Sequence, residues 1–369
     1  AENRFQPPWA RSEISGYING GNKFDLYRWN PAYFSRLRDF VKKAGELGII
    51  VEVVMFSSIY NEGNWSYSPF HPDNNVNGIK LDDRKKCNTL ANGKIFFYQE
   101  EMVRKIVSEL NGFDNLYYEI QNEPWADLPG TRGFILEHLA DDDLPSSWQN
   151  EIALANQASL EWQKAISAII RDEEKDLPRQ HLIAQNYCNY GYPVMVDDKN
   201  ISILNFHYAL PQCVDLNLGW NLPVAFDESG FAGPGPGVYR RQAWRFLLSG
   251  GAVFNGLDYS FYPGFEDGTG EIRGPGGGGK ELRLQLAVLR KFLEGFDLPR
   301  LSADHESIVL HPGLRYYLLS TPGEQYACYL EGEPEANLTL QLPAGDYLAR
   351  WHNPLNGRII KQLEVTHPG

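Results

Sequence analysis

Signals for metal, thiol and phosphate chemistry are scarce in this 369-residue chain. It contains no His-Glu-x-x-His sequence, and its cysteines lack metal or redox spacing. These cysteines are Cys87, Cys188, Cys213 and Cys328. The run from Gly274 to Lys280 approaches a phosphate-binding loop, but it lacks the Ser or Thr after the lysine and follows no predicted strand. We therefore expect a protein without a bound metal ion.

Positive charge and long apolar runs are also scarce. The net charge is −13, from 34 basic and 47 acidic residues, which argues against nucleic acid or an anionic membrane as partner. No segment is long and apolar enough to cross a bilayer. No signal peptide opens the chain, although a mature secreted protein would have lost one, and we expect a secreted or periplasmic rather than cytoplasmic location.

Aromatic residues, by contrast, are plentiful at 13% of the chain. Sugar rings have apolar C–H faces that stack on such side chains, so this content mildly favours a carbohydrate partner. Filling a large core explains any single aromatic residue equally well.

Apolar strands alternate with amphipathic helices over most of the chain. We predict helices over 31–45, 95–110, 147–172, 238–249 and 281–295. We predict strands over 49–56, 115–122, 181–186, 201–207, 223–228 and 252–258. This alternation indicates a parallel sheet covered by helices, either open or closed into a barrel.

Glutamates at the carboxyl ends of two predicted strands favour a TIM-type (β/α)8 barrel, where chemistry occurs on that face. Six strands are evident rather than eight, and residues 1–22 are predicted to form a loop, so the first two barrel strands are expected to be absent from these residues. From about residue 300, short alternating segments broken by Pro, Gly and Asn predict a small antiparallel β-sandwich. The expected domains are a catalytic barrel over 1–299 and a sandwich over 300–369.

The two strand-end glutamates are Glu123, in Tyr-Tyr-Glu-Ile-Gln-Asn-Glu-Pro, and Glu228, in Pro-Val-Ala-Phe-Asp-Glu-Ser-Gly. A retaining glycosidase needs one carboxylate as nucleophile and one carboxylic acid to protonate the leaving oxygen, about 5 Å apart. A single strand-end glutamate is as often a helix cap or a surface ion pair. Two in the same strand-turn setting favour catalysis.

Residues beside these glutamates are candidates for supporting roles. His207 and Tyr208 end another predicted strand and could hold Glu228 by hydrogen bonds, although a core histidine is the usual alternative. Asn122 could bind a sugar hydroxyl or merely cap the turn, and Trp125 offers an aromatic face nearby. Weaker candidates, for which turn chemistry is at least as good an explanation, are Trp65, Asn75, Gln185, Asn186, Asp258 and Tyr259.

These residues resemble the clan of retaining glycoside hydrolases built on (β/α)8 barrels, the cellulase and mannanase type. The resemblance implies that Asn122-Glu123-Pro124 carries the acid/base on the fourth strand and that Glu228 is the nucleophile on the seventh. It matches His207 and Tyr208 to the histidine and aromatic positions of the sixth strand.

The sequence as a whole resembles bacterial cellulase-like proteins with a carboxy-terminal sandwich, a type sometimes labelled collagen-binding. The similar stretches are Gly-Gly-Asn-Lys-Phe-Asp, Asn-Asn-Val-Asn-Gly, Asn-Phe-His-Tyr and Leu-Asp-Tyr-Ser-Phe, and the likeness covers most of residues 10–350.

The chain departs from the clan in two respects. The clan's second strand supplies an arginine near the nucleophile, and no residue here matches it. Asp258-Tyr259 stands where many members carry a tryptophan at the eighth strand.

The sequence thus predicts a retaining β-glycosidase that needs no cofactor and acts on an oligo- or polysaccharide. One alternative is a carbohydrate-binding or scaffold protein on a barrel that has lost catalysis. Another is an inverting hydrolase, whose carboxyl groups would lie well beyond 6 Å apart.

Overall fold

A computed structural model describes residues 5–124, 147–187, 193–207, 210–230, 232–274, 276–333, 335 and 337–369, with only the backbone over 147–158. The chain divides into two compact units. The first comprises Ala1–Cys188 and Val194–Asn205, and the second comprises Asn189–Pro193 and Phe206–Gly369.

The first unit contains most of the predicted β/α alternation. Its strands are β1 (Trp9–Ser15), β2 (Asn22–Trp29), β3 (Val51–Ser57), β4 (Leu116–Asn122), β5 (Ile183–Asn186) and the start of β6 (Ile203–His207). Its helices are α1 (Pro31–Glu46), α2 (Glu62–Trp65), α3 (Ile95–Leu110) and α4 (Ser147–Glu174). Strands β3 to β6 are parallel neighbours in chain order.

Local sequence explains the start of α1 and the burial of β4. Asn30 caps the helix by accepting a hydrogen bond from the backbone N–H of Ala32, and Pro31 occupies the first helical position. Strand β4 is buried along its length up to Gln121, as expected for a parallel strand covered on both faces.

The amino-terminal residues differ from the prediction. Residues 9–15 were expected to be loop, but they form β1, which pairs antiparallel with β2 through a register interrupted by bulges. Trp9 anchors this hairpin, because it is buried and packs on Phe70 with ring centroids 4.9 Å apart. Pro and Gly residues flank this strand, and because they are typical of loops, the local sequence predicts a loop here. Upstream of β3, the described residues contain only this hairpin and α1, and neither belongs to the parallel sheet.

The second unit continues the alternation of strands and helices. After the end of β6 come α5 (Gln212–Asn217), β7 (Val224–Glu228), α6 (Pro236–Leu248), β8 (Val253–Phe254) and α7 (Gly279–Leu293). Strand β7 pairs in parallel with β8. Together the six strands β3 to β8 form the parallel sheet of a partial TIM-type barrel, as the sequence predicted.

Short antiparallel strands follow residue 300. They are β9 (Ser302–Ala303), β10 (Ile308–Leu310), β11 (Leu314–Thr321), β12 (Gln325–Gly332), β13 (Thr339–Leu340), β14 (Gly345–His352) and β15 (Ile359–His367). The strands form three sheets, β12-β11-β9, β10-β13 and β14-β15, and the longest uninterrupted register runs from Leu314↔Gly332 to Thr321↔Gln325. The predicted change from β/α to antiparallel architecture is confirmed.

A single apolar cluster joins helices α6 and α7 to strands β11 and β12. The ring of Trp244 stacks on that of Tyr329 with centroids 5.2 Å apart. The buried members of the cluster are Ala243, Trp244, Leu248, Leu289, Leu293, Leu319, Ala327 and Tyr329. The domain boundary near residue 300 stays a prediction, since this core draws on residues from both sides of it.

No helix in the described parts of the chain is both long and apolar enough to cross a membrane.

Candidate active site

Glu123 follows the last residue of β4 and adopts an unusual backbone conformation. Strand β4 runs parallel to β3, with Ser57 opposite Asn122, so Glu123 lies at the carboxyl end of the sheet. The residue is buried, and its φ of 49° falls in the left-handed region. Such a conformation costs a non-glycine residue about 1–3 kcal/mol and persists only where surrounding contacts impose it.

Two residues just after β3 provide such contacts. Ser58 donates a hydrogen bond from its hydroxyl to the backbone carbonyl of Glu123. The Tyr60 hydroxyl donates to Glu123 Oε2 at 2.6 Å and accepts from Asn122 Nδ2 at 2.8 Å. Sequence analysis missed both Ser58 and Tyr60. Their position directly after a predicted strand of a parallel sheet was the available signal.

Gln185 and Asn186 end β5 and are both buried. Gln185 accepts a hydrogen bond from the Tyr187 hydroxyl at 2.8 Å and donates to Gln163 at 3.5 Å. Asn186 lies opposite Asn205, and its side-chain amide makes no hydrogen bond with the residues that the structure describes. Contacts of Gln185 and Asn186 with a sugar stay predictions.

Trp65, the last residue of α2, and Asn75, in the segment after it, both make structural contacts. Trp65 is buried and packs against His71, with ring centroids 5.3 Å apart. The Asn75 amide donates to the carbonyls of Pro69 and His71, and its oxygen accepts from the backbone N–H of Asn77. These bonds hold the loop together, and a contact of either side chain with a sugar stays a prediction.

In the second unit, Glu228 ends β7 and His207 ends β6. The Nδ1 atom of His207 lies 3.5 Å from Glu228 Oε2, and its Nε2 atom lies 3.3 Å from Asp227 Oδ1. The imidazole is buried, whereas the Glu228 side chain is 24% exposed. The two ring nitrogens thus each lie near a carboxylate, one of Glu228 and one of Asp227. Asp227 was missed by sequence analysis, although it precedes Glu228 directly.

Asp258 holds the loop that precedes α7. Its carboxylate accepts from the backbone N–H groups of Ser260 and Gly279 at 3.0 and 3.1 Å and from Arg283 Nη1 at 2.6 Å. Burial alone would raise the pKa of Asp258, but the hydrogen bonds from Ser260, Gly279 and Arg283 outweigh it and hold this pKa below its usual value. These bonds occupy both carboxylate oxygens, and a contact of Asp258 with substrate stays a prediction.

The adjacent Tyr259 ring packs directly against glycines of the same loop. A Cβ atom would lie 2.0 Å from its Cδ1 atom if added at Gly274, and 2.5 Å from its Cε2 atom if added at Gly276. The predicted sugar contacts Trp125 and Tyr208 lie outside the described residues.

Comparisons with known proteins return structural likeness only. No protein-family model matches the chain, and no curated protein matches it either. A glycoside hydrolase family 5 protein from Bacteroides vulgatus ATCC 8482 is similar with a TM-score of 0.50 and 11% identity, covering 91% of this chain and 72% of that one. Another solved structure, described as a glycoside hydrolase, has a TM-score of 0.50 and 11% identity over 98% of this chain and 94% of its own.

Endo-glycoceramidase II from Rhodococcus sp., solved with a cellobiose-like imidazole, is similar with a TM-score of 0.43 and 14% identity. The match covers 68% of this chain and 62% of that one, so the chain spans less than two thirds of its length. At these identities the two likenesses with a TM-score of 0.50 establish a shared fold, the TIM-type barrel.

Proposed function

We propose that this protein is a retaining β-glycoside hydrolase that acts on an oligo- or polysaccharide. The observation that carries the proposal is that Glu123 directly follows β4 and Glu228 ends β7, two strands of a TIM-type parallel sheet. Enzymes of this fold use residues at the carboxyl ends of their strands for catalysis. The fold shared with glycoside hydrolases supports the same class of reaction.

In the proposed mechanism Glu228 attacks the anomeric carbon while Glu123 protonates the departing oxygen. The bond from the anomeric carbon to the leaving oxygen breaks as the ester to Glu228 forms. Glu123, now a carboxylate, takes a proton from water, and the resulting hydroxide displaces Glu228 and restores the original configuration. The mechanism requires the two carboxyl groups to be about 5 Å apart.

A hydrogen-bonding or charged partner lies beside each of the two carboxylates. Tyr60 orients the Glu123 carboxylate, and His207 lies beside that of Glu228. The remaining sugar contacts are also proposals: Asn122, Trp125, Tyr208, Trp65, Asn75, Gln185, Asn186, Asp258 and Tyr259. The cellulase-like subgroup with a carboxy-terminal sandwich of the collagen-binding type is likewise a proposal, as is a secreted or periplasmic location.

Exchange of each glutamate tests the assignment. Glu228→Ala is expected to abolish turnover of an aryl β-glycoside, and azide should restore it by forming a glycosyl azide of inverted configuration. Glu123→Ala is expected to lower kcat/KM by about 10²–10⁴-fold for substrates with poor leaving groups, and azide should give a product of retained configuration. Glu101→Ala, an exposed glutamate on α3, is the matched control and should leave activity unchanged.

Mechanism-based labelling distinguishes the enzyme from a carbohydrate-binding protein that lacks catalysis. A panel of activated 2-fluoro-glycosides should leave one covalent adduct, and peptide mapping should find it on Glu228. Full activity in either glutamate variant, or a label on another residue, would contradict the assignment. Binding of sugars with no adduct and no hydrolysis of any glycoside would support the non-catalytic alternative.

A further inference from the structure

We propose that Tyr60 is a positioning residue that orients Glu123 and stabilises its carboxylate form. Tyr60 lies just after β3, where the sequence motifs give no role to a tyrosine. This inference rests on the proposed function, in which Glu123 alternates between acid and base. Its evidence is a set of hydrogen bonds that hold Glu123 at two points, one on the side chain and one on the backbone.

The first point is the carboxylate. Tyr60 donates to Glu123 Oε2 at 2.6 Å, a length typical of a charge-assisted O–H···O⁻ bond. The same hydroxyl accepts from Asn122 Nδ2 at 2.8 Å. Because that amide hydrogen is bound to the phenol oxygen, the phenol hydrogen is directed at the carboxylate. Asn122, Tyr60 and Glu123 therefore form a short relay that gives the carboxylate one orientation.

The second point is the backbone carbonyl of Glu123, which accepts from Ser58. Ser58 itself accepts from Gln121 Nε2 at 3.1 Å. The series of hydrogen bonds that leads to Gln121 runs through buried side chains on β4, α4 and β5. Each donates to the next in the order Tyr187, Gln185, Gln163, Ser159, Gln121, Ser58 and Glu123.

All these hydrogen bonds point in the same direction, so each side chain from Gln185 to Ser58 both accepts and donates. Buried polar side chains satisfied in this way hold a single arrangement, because breaking one bond would leave a buried group unpaired. This series of hydrogen bonds therefore holds the left-handed backbone of Glu123 independently of Tyr60. With the backbone fixed, Tyr60 controls the orientation of the Glu123 carboxyl group and favours its ionised form over its protonated form.

An O–H donor stabilises a carboxylate more than a carboxylic acid. Loss of the Tyr60 hydroxyl should therefore make Glu123 keep its proton to higher pH. It should also let the carboxyl group turn away from the leaving oxygen, which impairs proton transfer without removing the acid. Both effects are specific to Glu123 and differ from those of general unfolding.

Tyr60→Phe tests this inference on a panel of aryl glycosides. For poor leaving groups, which need the acid, kcat should fall by about tenfold, a part of what general acid catalysis contributes. For dinitrophenyl glycosides, whose departure needs no acid, kcat/KM, which reports the first step, should change by less than about twofold. The alkaline limb of kcat/KM should move to higher pH. Tyr67→Phe, a tyrosine of the following loop that is 48% exposed, is the control and should behave as wild type.

A second measurement does not depend on turnover. Carbon-13 labelled glutamate allows the carboxyl group of Glu123 to be titrated by NMR, and Glu123→Gln identifies its signal by difference. The titration midpoint should be higher in Tyr60→Phe than in wild type, and unchanged in Tyr67→Phe. Equal midpoints in Tyr60→Phe and wild type would overturn the inference even if the protein hydrolyses glycosides. A higher midpoint in a protein that forms no adduct on Glu228 would uphold it and contradict the proposed function instead.

Discussion

At the scale of single residues, the glycines between Gly274 and Gly279 pack directly against aromatic rings and a carboxylate. The same run resembles a phosphate-binding loop in sequence, yet its contacts explain its composition without a ligand. A Cβ atom at Gly277 would lie 2.3 Å from the Tyr239 ring, and one at Gly278 would lie 2.2 Å from Asp258 Oδ1. Contacts this short are forbidden, so only glycine fits here.

Gly277→Ala is therefore expected to destabilise the protein by about 1–3 kcal/mol, the usual cost of forcing extra volume into a packed site. Urea unfolding followed by tryptophan fluorescence would measure the loss. Gly219→Ala is the matched control, because a Cβ atom there would meet no atom within 4 Å. Equal stability of Gly277→Ala and Gly219→Ala would show that the Tyr239 ring moves aside at little cost.

At the same scale, the left-handed Glu123 could not be inferred from its motif. Asn-Glu-Pro predicts a corner after a strand, and that corner is observed. The left-handed backbone is accompanied by a hydrogen bond from Ser58, a residue 65 positions earlier in the chain, which no local motif predicts.

At the scale of elements, Asp304 ties together three strands of the carboxy-terminal region. It follows β9, and its carboxylate accepts hydrogen bonds from the backbone and hydroxyl of Ser307, just before β10, and from Ser320 on β11. Burial alone would raise the pKa of Asp304, but these hydrogen bonds outweigh it and lower the pKa to about 2.

The lowered pKa predicts how the stabilising effect of Asp304 depends on pH. A folded-state pKa below the unfolded value of 3.8 means that the stabilisation is complete above pH 3.8 and is lost as the pH falls towards 2. Asp304→Asn should lower the free energy of unfolding by about 1 kcal/mol at pH 7. The difference in unfolding free energy between wild type and Asp304→Asn should decrease as the pH falls from 3.8 to 2.

Urea midpoints measured across this range would test the prediction. Asp297→Asn, at an exposed aspartate near β9, is the control and should give only a small difference. A constant gap between wild type and Asp304→Asn from pH 7 to pH 2 would contradict the assigned pKa.

At the scale of the whole molecule, the residues after 300 complete a core that begins in the β/α part. Leu319, Ala327 and Tyr329 pack in one cluster with Trp244 and with Leu289. The predicted antiparallel sandwich is thus observed as strands packed on helices α6 and α7. An isolated domain with a core of its own would make fewer such contacts.

Removal of residues 301–369 should therefore expose the apolar faces of α6 and α7. Each large side chain uncovered costs about 1.5–3 kcal/mol, so the shortened protein is expected to aggregate or to unfold at a much lower temperature. Removal of residues 345–369 alone deletes β14 and β15, which contribute no buried residue to the cluster, and should cost less. Light scattering and thermal unfolding would compare the two truncations. A fully stable, monomeric 1–300 fragment would contradict this view of the core.

The sequence by itself determined the succession of strands and helices, the change of architecture near residue 300 and the two strand-end glutamates. These features are encoded locally, because apolar periodicity, caps and turn residues act over fewer than about 20 positions. Only the tertiary structure decided three other features. These are the pairing of residues 9–15 as β1, the placement of Asp227 beside His207 and the bond from Tyr60 to Glu123. Tyr60 and Glu123 are 63 residues apart, and only the alignment of β3 beside β4 brings them together.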